Sequence, residues 1–462
     1  MKSKIQFILG AITSFIVVAI LLYFAVLLSS EQTRENLGNR FLCSGQPCNV
    51  IFILADTLGA KHMGLYGFER DTTPFIDKFF GEQGIVFLNA WSNSTWTLPS
   101  FASFYISQYP SSITVGEILK PKTISFIDVL REAGIRIRAF TPLVPDVEGI
   151  CDPICLAATG RFKLDEIIRS KDDLQFLDVV QWVQDQKQDS LLSKEPFFLF
   201  VHNFIVHSPY NPPESYRTLF DAPLTYPGSV TGGDLRLSNT GKENINPQEV
   251  ERFQRQYDQE LRYFDDLLKD FFEQLPQEVL NTSIIILSAD HGEAFGEHGR
   301  VGHGGSPYQE ELHVPLLMKI PQTQPRIISQ PVSLLDIAPT ILGMFNLNSP
   351  ESFLGKSLVS PVKDIDIPKM IVRAETTRGG PLLADFQNLD STNSIITNQE
   401  IAVRLGKWKL IKKLEEILEV YNLDIDPGEQ RNLILQWSSL TKIEQSAILP
   451  LFHELGLGLP VP

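Results

Sequence analysis

Three apolar runs in this chain are too continuous to belong to a sheet with one wet face. Asn49-Val-Ile-Phe-Ile-Leu-Ala-Asp56 is unbroken until it meets a carboxylate, and Pro196-Phe-Phe-Leu-Phe-Val201 and Ser283-Ile-Ile-Ile-Leu-Ser288 repeat the pattern. A strand covered on both faces reads this way, because helices above and below a parallel sheet leave no reason for polar alternation. Helical patterns fall between the runs, over 72–82, 124–133 and 249–274. The expected fold class is therefore α/β, a mostly parallel central sheet flanked by helices.

The rest of the chain reads differently. From Pro212 to Gln248 the sequence is rich in Pro, Gly, Ser, Thr and Asn without a period, which predicts a long surface insertion. Past Pro361, short alternating segments such as Ile401-Ala-Val-Arg404 and Lys407-Trp-Lys-Leu-Ile411 predict a small antiparallel C-terminal subdomain. At the other end no charge interrupts Ile5 to Leu28. A helix of that length reaches roughly 36 Å, enough for a bilayer core. With Lys2 and Lys4 in front of it, the segment predicts one N-terminal transmembrane helix with the remainder on the non-cytoplasmic side. A cleaved signal peptide is the competing reading, but the run exceeds a usual signal core and no Ala-x-Ala site follows.

A formal charge of -15 argues against a nucleic-acid partner, which needs a basic face for phosphates. The four cysteines form two close pairs, Cys43 with Cys48 and Cys151 with Cys155. Each pair could close a small disulfide in an oxidising compartment or remain as thiols. One zinc site made from all four is disfavoured by the distance between the pairs.

Open parallel sheets bind ligands beyond the carboxyl ends of their strands. Two runs deliver polar groups there: one ends at Asp56, the other at Asp290 followed by His291. Each acid alone could be a helix cap, but two carboxylates and an imidazole at one sheet edge suit a divalent metal ion. Thr97 opens Thr97-Leu-Pro-Ser-Phe-Ala-Ser-Phe-Tyr-Ile106, where Thr is a good N-cap and Pro99 fits the first turn. A hydroxyl there is either a cap or, if metal-bound, a nucleophile at a terminus that favours anions. The glycine-rich stretch after Asp290 carries His298 and His303 beside His291, and His207 follows the Pro196 run. Such density suits a loop that brings side chains to an ion or anion.

Five segments follow one another along the chain: Asp56-Thr-Leu-Gly-Ala-Lys-His-Met-Gly-Leu-Tyr-Gly67, Trp96-Thr-Leu-Pro-Ser100, Ser288-Ala-Asp-His-Gly-Glu293, Val332-Ser-Leu-Leu-Asp-Ile-Ala-Pro-Thr340 and Tyr421-Asn-Leu-Asp-Ile-Asp-Pro-Gly-Glu-Gln-Arg-Asn-Leu433. Their order and spacing resemble those of the sulfatase-like enzymes of the alkaline-phosphatase superfamily. The resemblance implies that Asp56, Thr97, Asp290 and His291 hold a divalent ion of Ca, Mn, Mg or Zn type. It implies Thr97 as nucleophile, His303 contacting substrate or a second ion, and His207 holding the substrate's anionic group. The implied divisions are a signal anchor at 1–30, a stalk at 31–47, a catalytic domain at 48–360, a C-terminal subdomain at 361–435, and a helix and tail at 436–462.

Departures from the family pattern shape the expected chemistry. Sulfatases that mature a formylglycine carry Cys or Ser where Thr97 stands, and Arg where Phe101 stands. Threonine cannot give that aldehyde by the same oxidation. The usual Gly-Lys-Trp-His element is also missing after Ala133, and Gly59 and Ser107 replace usual residues. The expected function is metal-dependent hydrolysis or transfer of phosphate- or sulfate-type esters through Thr97. The alternatives are a formylglycine-independent sulfuric ester hydrolase, a phospho-group transferase acting on lipid or surface polymer, and an inactive tethered homologue. The expected partners are an anionic ester on a small molecule, glycan or lipid, and a membrane held through the N-terminal helix.

Overall fold

The computed structural model describes residues 42–43, 46–113, 122–142, 161–188, 195–221, 246–359, 370–376, 400–413 and 417–458. The strands of the main sheet are β1 (Asn49–Ala55), β2 (Ile85–Trp91), β3 (Arg136–Pro142), β4 (Ile167–Ser170), β5 (Phe197–Asn203), β6 (Ser283–Ser288), β7 (His313–Lys319), β8 (Arg326–Ile328) and β9 (Val332–Ser333). They lie in the order β8-β2-β7-β6-β1-β5-β3-β4, with β9 also beside β2. Strand β1 pairs in parallel with both β5 and β6, and β3 continues the parallel run from β5 to β4. Only β7 runs against its neighbours β2 and β6. The sheet is therefore α/β and mixed. The apolar runs of β1, β5 and β6 are its centre, and all of their residues are buried.

The helices divide into two groups. Helix α1 (Pro74–Gln83) and α4 (Gln175–Gln188) pack on the long α5 (Pro247–Gln274), while α2 (Thr97–Ile106), α3 (Phe126–Glu132) and α6 (Ile337–Met344) pack on one another. Local chemistry sets their starts. Ser125 and Asp128 form a reciprocal capping box on α3. Helix α1 has Pro74 at its first position, and its Phe75 and Ile76 amides donate to Asp265 of α5 at 2.9 and 2.8 Å. That carboxylate caps a helix distant in sequence and ties the two together. Rings of Phe52, Phe101, Phe104 and Phe200 meet between α2 and the sheet. Burying each such side chain contributes about 1.5–3 kcal/mol.

A second sheet of four antiparallel strands follows: β10 (Val372–Thr376), β11 (Glu400–Leu405), β12 (Trp408–Lys412) and β13 (Leu418–Asn422). Helix α7 (Lys442–Glu454) covers it, with Ile448, Leu451 and Phe452 packed among Leu410, Val420 and Trp437. This is the small C-terminal sheet expected from the alternating segments.

Other expectations lie outside the described residues. These are the transmembrane segment, Cys151 with Cys155, and most of the 212–248 insertion. Among the described residues no helix is long and apolar enough to cross a membrane. Cys48 is disulfide-bonded.

Candidate active site

Because β1, β5 and β6 are parallel, their carboxyl ends deliver Asp56, His202 and Asp290 to one edge of the sheet. Asp56 directly follows β1 and Asp290 stands two residues past the end of β6, and both side chains are fully buried. Thr57 turns the chain away from β1 with φ of 62°, a conformation that costs a β-branched residue of order 1–3 kcal/mol. Its amide lies 3.4 Å from Asp290 Oδ1, and its hydroxyl donates to the Val206 carbonyl at 3.0 Å. The strained residue thereby joins all three strand ends.

His291 follows with a fixed orientation. Its Nδ1 lies 2.9 Å from the Gly292 carbonyl and must donate to it, leaving the lone pair on Nε2. Gly292 is required here, because a Cβ would lie 2.3 Å from the Glu310 carbonyl oxygen. The His291 Nε2 is 3.2 Å from Thr97 Oγ1, 3.4 Å from Asp290 Oδ2 and 3.7 Å from Asp56 Oδ1. The two carboxylate oxygens have no hydrogen-bond partner although they are buried.

These donors fit a divalent cation. One ligand atom each from Asp56, Asp290 and His291 lies within 4.8 Å of the others. Three electron pairs converge in a buried place where the Thr97 hydroxyl can donate only to His291 Nε2, leaving both carboxylate oxygens unpaired, an arrangement that is costly unless a cation joins them. The electrostatics agree. Burial pushes the Asp56 carboxyl up to about 6 against the opposing pull of His207 and His303. Burial, then the Asp56 charge, pushes Asp290 well above the carboxylate range. Burial, reinforced by His303, holds His291 well below the ordinary imidazole value.

Thr97 occupies a position different from the one its sequence context suggests. It is the first residue of α2, whose cap is Trp96, and no side chain caps that terminus. Since Thr97 is already helical, its hydroxyl is not the N-cap acceptor; it faces His291 instead. The expected capping role is corrected accordingly.

His303 and His207 form the outer side of the cluster. Their rings are 5.3 Å apart, and the His303 ring is 4.4 Å from that of His291. His303 Nδ1 pairs with Glu293 Oε1 at 3.0 Å, and the other Glu293 oxygen accepts from the buried Tyr210 hydroxyl at 2.8 Å. Burial disfavours the charged imidazole, but the Glu293 carboxylate prevails and raises His303 to about 9. The Gly304 amide donates to the Thr95 carbonyl at 2.7 Å, which anchors this loop to the Thr97 segment. His207 stacks on Phe204 and bonds through Nδ1 to the Ser208 carbonyl at 2.6 Å.

The structure thus brings Asp56, Thr97, Asp290, His291, His303 and His207 to one place. His298 is elsewhere. Its Nδ1 meets Glu310 at 2.8 Å, its Nε2 meets the Glu429 carbonyl at 3.2 Å, and its ring stacks on Tyr308. Ser107 is also structural, ending α2 at φ of 50° and bonding to Leu335 and Gly355. Sequence reasoning missed Glu293 and His202. Glu293 stands three residues after Asp290, and His202 follows an apolar run as Asp56 does. Both positions carried a readable signal.

Comparison with known proteins identifies the family of the chain. The sulfatase family profile matches residues 48–347, and that of the C-terminal part of N-sulphoglucosamine sulphohydrolase matches 296–448. The chain belongs to the sulfatase family, and as such it is a sulfatase-like hydrolase of ester bonds within the alkaline-phosphatase superfamily. Arylsulfatase K of Rattus norvegicus is 24% identical over 92% of this chain and 81% of its own length. Two solved structures share the fold. A protein in complex with its substrate D-glucosamine-2-N,6-O-disulfate has a TM-score of 0.65 at 17% identity, covering 89% of this chain and 97% of its own. The phosphonate monoester hydrolase of Agrobacterium radiobacter has a TM-score of 0.62 at 17% identity, covering 88% and 94%.

Proposed function

We propose that the protein hydrolyses an anionic phosphorus or sulfur ester with Thr97 as nucleophile, and that phosphorus esters are its better substrates. The observation that carries this reading is Thr97 Oγ1, 3.2 Å from His291 Nε2 at the start of a buried helix and beside two orphaned carboxylate oxygens. Asp56, Asp290 and His291, with the Thr97 hydroxyl, would hold a divalent ion. When bound, that ion supplies positive charge that favours the Thr97 alkoxide and an ester's developing negative charge.

The chain's own groups do the remainder. Thr97 attacks the phosphorus or sulfur atom as its hydroxyl proton passes to solvent water, and the ester alcohol leaves. His303, kept protonated by Glu293, carries the proton that the leaving oxygen takes. His207 lies beside it and binds the anionic group. The amides at the start of α2 face the same anion. Water, or an acceptor alcohol in a transferase, then releases the Thr97 adduct. The second reading is sulfate-ester hydrolysis without formylglycine, favoured by the likeness to arylsulfatase K. Either activity operates outside the cytoplasm, on a domain tethered by the apolar segment 5–28.

The test is a panel of phosphate monoesters and diesters, phosphonate esters and sulfate esters, assayed with and without added metal. Metal-dependent turnover that is faster on phosphorus esters is expected. Faster turnover of sulfate esters would favour the second reading, and full activity after metal removal would overturn the role of the three ligands.

A further inference from the structure

His202 stands at the end of β5 with its side chain buried, one residue before Asn203, whose carbonyl accepts the Asp56 amide at 3.0 Å. His202 Nε2 lies 2.9 Å from Asp56 Oδ2, while Asp56 Oδ1 has no hydrogen-bond partner. Two successive residues of one strand therefore hold Asp56, one by its backbone and one by its carboxylate. The imidazole is itself fixed by rings. Phe101 and Phe204 each lie 4.7 Å from it, and Phe200 stacks at 6.3 Å. Phe101 is one of the departures from the family pattern, and here it is the wall against which His202 rests. Asp56 is a carboxylate with one oxygen taken and the other turned toward Asp290 and His291.

We propose that His202 is a positioning residue for the metal centre, donating from Nε2 to Asp56 Oδ2 so that Oδ1 alone is presented to the ion. The inference rests on the metal-binding reading given above. A partner of this kind keeps a ligating carboxylate from rotating or from taking both oxygens to the ion, and it holds that geometry before the ion arrives. The Phe rings serve the same end by leaving the imidazole one orientation and keeping water from competing for Asp56 Oδ2. A purely structural histidine would support the fold without affecting metal affinity.

The experiment compares the full chain with His202→Gln and His202→Leu after metal is stripped. Mn2+, Zn2+, Ca2+ and Mg2+ are titrated separately by calorimetry, and the metal-free melting temperature is measured alongside. For whichever ions wild type binds, His202→Leu is expected to lose roughly 10- to 100-fold in affinity. His202→Gln keeps an N–H donor at similar reach and is expected to stay within a few-fold of wild type. His202→Leu fits the Phe surroundings but leaves the buried Asp56 Oδ2 without its donor, so its metal-free melting temperature should fall modestly, and the affinities are compared at a temperature where both metal-free variants are folded. Wild-type affinity in the leucine variant would overturn the proposal, as would an equal loss in the glutamine variant. If wild type takes up none of the four ions, the metal reading itself falls and the role of His202 falls with it.

Discussion

Asp56→Asn should make the metal-free protein more stable at neutral pH while removing its response to metal. Asp56 is wholly buried, and burial raises its carboxyl from 3.8 to about 6 despite the favourable charges of His207 and His303. About two units at 1.36 kcal/mol each correspond to roughly 3 kcal/mol. The sign follows from linkage. Between pH 4 and 6 the folded, metal-free protein keeps a proton that the unfolded chain has lost. The stability contributed by this group is therefore complete below the unfolded value and is lost as pH rises through about 6. An asparagine cannot ionise and carries no such penalty. For a folded body of about 400 residues, an unfolding entropy of about 2.1 cal/mol/K per residue turns 3 kcal/mol into roughly 4 °C. The assay is a melting series from pH 4 to 8 on chelator-treated wild type and variant. The gap should open as pH rises and close near pH 4. Saturating metal should raise only the wild type, by about 2.7 kcal/mol at a hundredfold excess over Kd. A variant less stable than wild type at pH 7 without metal, or a gap independent of pH, would refute the reasoning.

Thr97→Ala should lower turnover by roughly a thousandfold or more yet cost only about 1 kcal/mol of stability, since Thr97 makes one hydrogen bond and does not cap α2; wild-type rates in the folded variant would remove Thr97 from the mechanism. Glu293→Gln should shift the alkaline limb of kcat/KM to lower pH, because Glu293 is what holds His303 above the ordinary imidazole value; an unmoved limb would mean that His303 is not the titrating acid. Asp265→Ala strips two amides at the start of α1 of their acceptor and should cost about 1–2 kcal/mol in denaturant unfolding, with kcat unchanged. Protease added to sealed cells should digest the folded domain, and its protection until lysis would reverse the proposed topology.

The fold was legible where sequence pattern and burial coincide. The β1, β5 and β6 runs are apolar throughout because helices cover both faces, and their carboxyl ends could be placed at one edge from the parallel rule alone. The antiparallel entry of β7 between β2 and β6 left no mark in Val314-Pro-Leu-Leu-Met318, since a buried strand looks the same in either direction. Thr97 looked like a cap because caps and first-turn residues share a composition; only the backbone of Trp96 separates them. His202 is hard to read because the apolar run of β5 ends at Val201 while the strand itself runs on to Asn203. His298 shows the opposite case. Histidines clustered in sequence diverge in space, and this one is held by Glu310 and Tyr308 rather than facing the Asp56 cluster.

The central claim is that Thr97 forms the covalent bond, and the most direct measurement is mass analysis of its peptide after rapid acid quench during turnover of the best ester. The account predicts an otherwise unmodified threonine that carries the phosphoryl or sulfuryl group in the quenched wild type, and no adduct in the unreacted protein. A burst of product without any adduct on Thr97, or an adduct on another residue, would contradict it.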